Sequence, residues 1–246
     1  MAPVVAAYSN GETGAVVLFA QNGAGGLTAL DTVTDKLTGS SPAITAVDVD
    51  SDGIAEAVVV FEQPRGGSAT WIFRLADQKL TLISPTNDSG GSILVSPQML
   101  NLRGTGALDI IENIVSGSRQ DPEVQPALFT LQSGKYVAGD HVDFFHVFYR
   151  DKQTPSVETA NFTIPVESVS DHHRLLVANG GSSGADYRVA SGVIRLNGVV
   201  VSGESDFNEN RASWSTPVPL QAENTLTVEL RGKPRGRIAV AILTTQ

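Results

Sequence analysis

The residues best suited to chemistry lie in one short acidic stretch, DVDSDGIAE, at positions 48–56. Calcium is a hard cation that takes about six to eight oxygen ligands, and a tight loop can supply them from alternate positions around a glycine. Gly53 stands at loop position six. The candidate ligands occupy positions one, three, five, seven and nine: Asp48, Asp50, Asp52, Ile54 through its backbone carbonyl, and Glu56 directly or through a water. The stretch therefore predicts a calcium site.

The sequence on either side of this stretch predicts strands. The helix-loop-helix calcium motif needs a glutamate at position twelve, but Val59 stands there, inside the β-branched run AEAVVVF. Magnesium prefers fewer carboxylates and more retained waters, so the ligand set favours calcium. A solvated acidic turn without metal is the alternative, since Asp and Gly are ordinary turn residues. That alternative leaves the mutual repulsion of adjacent carboxylates unexplained.

A weaker copy of the stretch, NLRGTGALD, aligns when Gly106 is laid on Gly53, 53 residues earlier. The copy keeps an acid at position nine, Asp109. Its other acids are replaced by Asn101, Arg103 and Thr105. We expect this loop to bind no calcium and to use its own arginine and hydrogen bonds instead. A period of this length suits the four-stranded blades of a β-propeller.

The elements that must position these loops are short apolar runs separated by turn formers, which predict an all-β protein. Apolar residues make up 41% of the 246 residues, and 24 glycines and 12 prolines are spread along the chain. Residues 1–150 predict partial β-propeller-like blades. Within 141–156, an aromatic run favours a short helix or a docking strand, and a polar linker follows it. Residues 157–246 predict a β-sandwich of Ig-like or jelly-roll type.

Charge and composition exclude several classes of partner and of site. The net charge of −9 and the pI of about 4.8 argue against nucleic acid, because that binding depends on lysine and arginine. No run approaches the roughly 20 apolar residues of a membrane helix. The chain has no cysteine, which excludes disulfides and thiolate metal sites. The first 14 residues lack a basic segment and do not predict a signal peptide. If the native protein is exported, we expect this chain to be a trimmed piece of it.

The acidic stretch resembles the D-x-D-x-D-G-x-x-[DE] core of FG-GAP/VCBS repeats, which occur in integrin-type propellers and in many secreted bacterial proteins. The resemblance implies a calcium loop between strands of a propeller blade, with the ligand roles at the five positions given above. It implies only the fold for 101–109. The region 188–242 also resembles a β-sandwich module common near the C-termini of bacterial surface proteins, for which no activity is implied.

Three other clusters favour a structural interpretation. In SDHHR, adjacent strand side chains point to opposite faces, so His172 and His173 do not easily share one ligand. The basic turn RGKPRGR (231–237) predicts a solvated hairpin, with an anionic glycan as the alternative ligand. ESDFNEN lacks a glycine at position six and predicts a hydrogen-bonded loop around Asp206, Asn208 and Asn210. Because no G-x-S-x-G, H-E-x-x-H or phosphate loop occurs, we expect no enzyme and no catalytic residues.

We therefore expect a non-catalytic recognition, adhesion or display module of a secreted or surface bacterial protein, extracellular or at the cell surface. We expect its calcium to be structural and its partner to be a surface protein or a glycan. A carbohydrate-binding or accessory module of a secreted hydrolase is the alternative. Sugar sites use exposed aromatic platforms, for which Trp214 and Tyr187 are the candidates. Self-association is expected of residues 1–140, because two or three blades do not close a propeller.

The two modules are predicted to separate near residues 150–157, because RDKQTPS is polar, contains Pro155 and lies between two strand-rich blocks. Limited proteolysis followed by mass spectrometry should find the earliest cuts there. First cuts within 55–61 or 224–230 would place the boundary elsewhere.

Overall fold

The computed structural model describes residues 3–23, 25–36, 40–62, 68–84, 93–118, 121–150, 155–169 and 172–244. Residues 151–154 of the predicted linker, and Asp171 of the histidine cluster, lie outside these ranges.

The described part of the chain is all-β, as predicted, and contains no α-helix. Four single 3₁₀ turns occur in it, at Val166–Ser168, Gly181–Ser183, Ala185–Tyr187 and Glu204–Asp206. No helix in the described residues is long and apolar enough to cross a membrane. The strands are β1 (Val4–Ser9), β2 (Thr13–Gln21), β3 (Leu27–Lys36), β4 (Ser40–Val47), β5 (Glu56–Glu62), β6 (Ser68–Ala76), β7 (Lys79–Leu82), β8 (Ile93–Leu100), β9 (Asp109–Ser118), β10 (Asp121–Gln132), β11 (Lys135–Ala138), β12 (Val142–Tyr149), β13 (Ser156–Thr163), β14 (His173–Asn179), β15 (Ser191–Leu196), β16 (Val199–Ser202), β17 (Ser213–Val218), β18 (Glu223–Arg231) and β19 (Arg237–Thr244).

Contacts within the chain divide it into two compact units. The first comprises Met1–Pro97, Glu112–Gln125 and Phe129–Ala138, and the second comprises Gln98–Ile111, Pro126–Leu128 and Gly139–Gln246. Strands β8, β9 and β10 each contribute residues to both units. The boundary near 150–157 remains a prediction about where the chain is cleaved.

The strands carry the 53-residue repeat more clearly than the sequence does. β4 ends at Val47 and β8 at Leu100, and β5 and β9 begin at Glu56 and Asp109, so both pairs are spaced by 53 residues. The sheet order is β11-β10-β9-β8-β6-β5-β4, with β7 paired to β6, and β1-β2-β3 form a separate sheet. The chain therefore repeats a pattern of four strands, β4 to β7 and then β8 to β11, in which sequential strands are neighbours in the sheet.

Side chains of β5 and β6 form most of the core of the first unit. Phe61 stacks edge-on against Trp71 at 4.9 Å between ring centroids, and Trp71 against Phe73 at 6.0 Å. Edge-to-face pairs of this kind add to the burial of the rings themselves. The remaining buried members of the cluster are Val16, Leu18, Ala57, Val59 and Leu80. The start of β5, where the acidic stretch ends, is thus fixed by a packed aromatic core.

The second unit contains two antiparallel four-stranded sheets, β12-β19-β14-β17 and β13-β18-β15-β16. In β18, alternate side chains from Asn224 to Leu230 are buried. This two-residue period is the pattern of a strand with one face in the core. Asn197 and Gly198 both have positive φ, 52° and 81°, which matches the tight turn that Asn-Gly favours between β15 and β16. Side chains from both sheets share one buried cluster, a sandwich-like arrangement.

The aromatic run that predicted a short helix or a docking strand is strand β12, which pairs with β19 along most of its length. A further apolar cluster in the same unit joins the region around the second loop to these strands. It contains Leu100, Leu102, Ile111, Leu128, Val142, Leu176, Ala178, Ala239, Ala241 and Leu243. The second loop is therefore anchored by residues that lie far from it in sequence.

A fragment ending at residue 140 is predicted to self-associate or aggregate. Its Leu100, Leu102, Ile111 and Leu128 would lose the apolar partners of β12, β14 and β19, and each large apolar side chain exposed costs about 1.5–3 kcal/mol. Light scattering of the fragment against the full chain at equal concentration measures this. A stable monomeric fragment would contradict the expectation.

Candidate metal centre

Three of the predicted ligands form a compact acidic group at the end of β4. Carboxylate oxygens of Asp48, Asp50 and Glu56 lie within 4.8 Å of one another. Asp48 and Asp50 are half-buried in the loop, and Glu56 is the first residue of β5. The loop therefore brings acids from both of its ends to one point.

Backbone hydrogen bonds hold the loop in this shape. Asp48 Oδ1 accepts the N–H of Asp52 at 3.2 Å, and Asp48 Oδ2 accepts the N–H of Gly53 at 3.0 Å. Asp50 Oδ1 also accepts the N–H of Asp52, at 3.2 Å. Ser51 and Gly53 have positive φ, 62° and 87°, which the glycine adopts freely and the serine does not. The chain is thus wound around the two aspartates.

Glu56 is the buried member of the group, with 1% of its surface exposed. Its Oε2 accepts the N–H of Val49 at 3.0 Å, which joins the ninth loop position to the second. Val49 is fully buried. This hydrogen bond and the burial of Val49 fasten the two ends of the loop together.

The two remaining predicted ligands lie next to the acidic group. Asp52 Oδ1 accepts the N–H of Ile54 at 2.7 Å, and the side chains of both residues are exposed. Asp52 is not a member of the group of mutually close carboxylates found in the described residues. Its charge nevertheless acts on the site, as Arg74 shows.

Arg74 is a member of the site that the sequence did not predict. From β6, its Nε donates to Glu56 Oε1 at 3.1 Å and its Nη2 donates to Asp50 Oδ2. Burial lowers the pKa of Arg74, but the hydrogen bond to Glu56 and the charges of Asp50, Glu56 and Asp52 raise it above its ordinary value. The guanidinium is therefore a cation held by two of the predicted calcium ligands.

The second loop repeats two left-handed backbone positions of the first, with a different charge pattern. Gly104 and Gly106 have φ of 70° and 93° and stand 53 residues after Ser51 and Gly53. Asp109 is 1% exposed, as Glu56 is. Positions four, six and nine of the two loops are therefore structurally equivalent.

The second loop neutralises its buried acid from within. Arg103 Nη2 lies 2.5 Å from Asp109 Oδ1, and its Nε donates to Oδ2 at 3.3 Å. Burial raises the pKa of Asp109, opposed by Arg103 and by backbone hydrogen bonds from Arg103 and Leu102. Leu102 corresponds to Val49, so the link between positions two and nine recurs. The predicted role of Arg103 as the positive charge of this loop is confirmed.

The donor set of the first loop suits a hard divalent cation. Carboxylate oxygens are the ligands that calcium prefers, and Asp48, Asp50 and Glu56 bring theirs to one place. The guanidinium of Arg74 lies where a cation would bind, which shows that the group accepts a positive charge between Asp50 and Glu56. These residues therefore fit a calcium ion, on condition that Arg74 leaves their oxygens.

The histidine pair is divided between surface and interior. His172 is exposed, whereas His173 is buried at the start of β14. The ring of His173 lies 3.1 Å from Asp143 Oδ2 through Nδ1 and 3.0 Å from the Ser168 carbonyl oxygen through Nε2. Thr244 Oγ1 donates to the same oxygen of Asp143 at 2.8 Å. This network ties β12, β14 and β19 together.

The loop around Asp206 is hydrogen-bonded, as predicted. Asp206 Oδ2 accepts the N–H of Gly203 at 2.9 Å and the hydroxyl of Ser202 at 3.1 Å. Asn208 Oδ1 accepts the N–H of Asn210 at 2.8 Å. The oxygens of Asp206 and Asn208 therefore have partners within the chain.

Three of the four basic residues of the basic turn contact nearby acids or aromatic rings. Arg231 pairs with Glu229 and Glu204, and Lys233 pairs with Glu209 at 3.1 Å. The guanidinium of Arg237 stacks on two tyrosine rings, 5.3 Å from the centroid of Tyr149 and 4.4 Å from that of Tyr187. These pairs give most of the cluster a role within the fold.

The two aromatic residues proposed as sugar platforms have other roles. Trp214 is 6% exposed, packs edge-on against Phe207 at 5.0 Å and donates its indole N–H to Ser202 Oγ at 3.0 Å. It is a core residue, so its assignment as a platform was wrong. Tyr187 is partly buried against Arg237.

Comparisons with known proteins identify no family. No family profile matches the chain, and no curated protein matches it. Eleven chains of solved structures match, among them the M60 catalytic domain with the CBM51-1 and CBM51-2 domains from Clostridium perfringens ZmpB. That structure is 10% identical, with a TM-score of 0.28, over 99% of this chain. This chain spans 31% of the length of that one.

A buried acid away from the loops, Glu112, predicts a pH-dependent stability. Its Oε2 has no hydrogen-bond partner among the described residues, and burial raises its pKa to about 7. The folded state holds this proton more tightly than the unfolded state does, so the contribution of Glu112 to stability falls as pH rises from about 4.5 to 7.

Glu112→Gln should remove this fall and stabilise the protein at pH 8 by on the order of 3 kcal/mol. The two proteins should be equally stable near pH 4.5. Urea denaturation of both across this range measures the difference. If the free energies of unfolding of the two proteins differed by the same amount at every pH, Glu112 would not carry the effect.

Proposed function

We propose that the chain is a calcium-stabilised, non-catalytic recognition or display module of a secreted or cell-surface protein. One observation carries the proposal: three carboxylates lie within 4.8 Å of one another in a loop whose fourth and sixth residues are left-handed. The resemblance of DVDSDGIAE to FG-GAP/VCBS loops and the four-strand repeat support the same class. In this proposal the repeated strands are blades of an incomplete propeller.

The calcium site would act on structure. Asp48 and Asp50 follow β4, and Glu56 opens β5, so a cation bound by all three ties two paired strands at their connection. Asp52 and the carbonyl of Ile54 complete the proposed ligand set. Calcium bound there would remove the repulsion among the acids and tighten the loop.

The recognition role is supported by the polar clusters that already have partners within the fold. The His173, Asp206 and Arg231 clusters are occupied by contacts within the fold. These contacts leave the loops and exposed strand faces as the surfaces for a partner, for which we propose a surface protein or a glycan.

Calcium is expected to raise the melting temperature of the full chain, and Asp48→Asn should remove most of the gain. The introduced amide would keep one of the two side-chain oxygens that accept loop N–H groups, and Asp48 is not a partner in the ion pairs of Arg74. At free calcium about a hundredfold above the dissociation constant, mass action gives about 2.7 kcal/mol.

The matched control is Asp109→Asn in the second loop, which should lower the melting temperature without changing the calcium gain. Scanning calorimetry in excess chelator and in about 10 mM calcium, chosen to exceed weak extracellular-type sites, measures both. An unchanged wild-type curve would leave the solvated acidic turn as the correct interpretation.

A further inference from the structure

Arg74 reaches the acidic group from the neighbouring strand. Ala57 pairs with Phe73 in the β5–β6 ladder, which puts Glu56 and Arg74 at the next cross-strand position. An arginine opposite a glutamate on adjacent strands is a favourable pair, and its planar fork also reaches Asp50. The guanidinium is therefore placed by the register of the sheet.

The oxygens that Arg74 holds are among those that a metal would need. Both oxygens of Asp48, Oδ1 of Asp50 and Oε2 of Glu56 accept backbone N–H groups. The other oxygens of Asp50 and Glu56 accept Arg74. A divalent cation coordinated there would stand against a guanidinium of like charge, which opposes simultaneous occupancy.

We propose that Arg74 is a resident counter-cation that calcium must displace, so that the loop exchanges a guanidinium for a metal ion. The proposal rests on the calcium site of the proposed function. Arg74 keeps the loop folded at low calcium and raises the calcium concentration that fills it. About a third of its side chain is exposed, so it can turn to solvent while β6 keeps its place.

The second loop supplies a fixed version of the same device. Arg103 stands at loop position three, where the first loop has Asp50, and it pairs with the acid at position nine. Arg103 is itself a residue of the loop, and the aspartates that would attract a metal are absent there. Arg103 thus serves as an internal comparison for Arg74, with the same contact and no competing ion.

The test measures calcium binding by the full chain and by Arg74→Met with titration calorimetry. We expect the dissociation constant to fall about tenfold or more in the variant. We also expect the melting temperature in excess chelator to fall, because three close carboxylates lose their counter-charge. Arg74→Lys keeps the charge without the fork, so its dissociation constant should lie between the two. It also serves if Arg74→Met fails to fold.

The control is Arg103→Met, which should lower the metal-free melting temperature and leave the dissociation constant unchanged. In the wild type, the Nε–H resonance of Arg74 should shift on calcium addition, while that of Arg103 should not. These readouts separate displacement of Arg74 from a general loss of stability.

Each outcome decides between the two proposals. Equal dissociation constants for wild type and Arg74→Met would overturn the displacement and leave the calcium site standing. Binding by Arg74→Met alone would support the displacement and overturn calcium stabilisation of the wild-type protein. Binding by neither protein would overturn both.

Discussion

A carboxylate removed from solvent at the ninth loop position is the constraint on which the repeat depends. Glu56 and Asp109 are each 1% exposed. Burying a charge costs several kcal/mol unless partners compensate for lost hydration. Both loops compensate with backbone N–H groups near position two and with an arginine. Arg74 bridges Glu56 and Asp50, whereas Arg103 contacts both oxygens of Asp109. The loop conformation brings these donors together.

Apolar packing anchors the loops at the same points. Val49 and Leu102, the second residues of the two loops, are 0% and 1% exposed. Leu102 lies in an apolar cluster with Leu176 and Ala239, and β5, which begins at Glu56, continues into the aromatic core around Phe61. The acid at position nine and the apolar residue at position two therefore restrain the loop between two fixed strands. The apolar side chain at position two is buried, and the carboxylate at position nine accepts the hydrogen bonds.

The parts of this arrangement that sequence could predict are those with a local pattern. Alternating aspartates around Gly53 located the loop, short apolar runs predicted strands, and Arg103 was expected to act in its own loop because it lies within the motif. Arg74 lies 18 residues after Glu56. Its contact depends on the β5–β6 register, which no short motif encodes. Trp214 was misjudged for a similar reason, since its burial and its bond to Ser202 come from tertiary packing.

Charge distinguishes the two loops more than shape does. The first loop carries four acids, Asp48, Asp50, Asp52 and Glu56, against the single charge of Arg74, which leaves −3. The second carries Asp109 against Arg103 and is neutral. One guanidinium therefore satisfies the second loop completely. In the first it satisfies only the buried acid and one neighbour, so repulsion among the remaining carboxylates still favours a cation of higher charge. Under the proposed function, the number of acids around the buried carboxylate would decide whether such a loop holds a metal or an arginine alone.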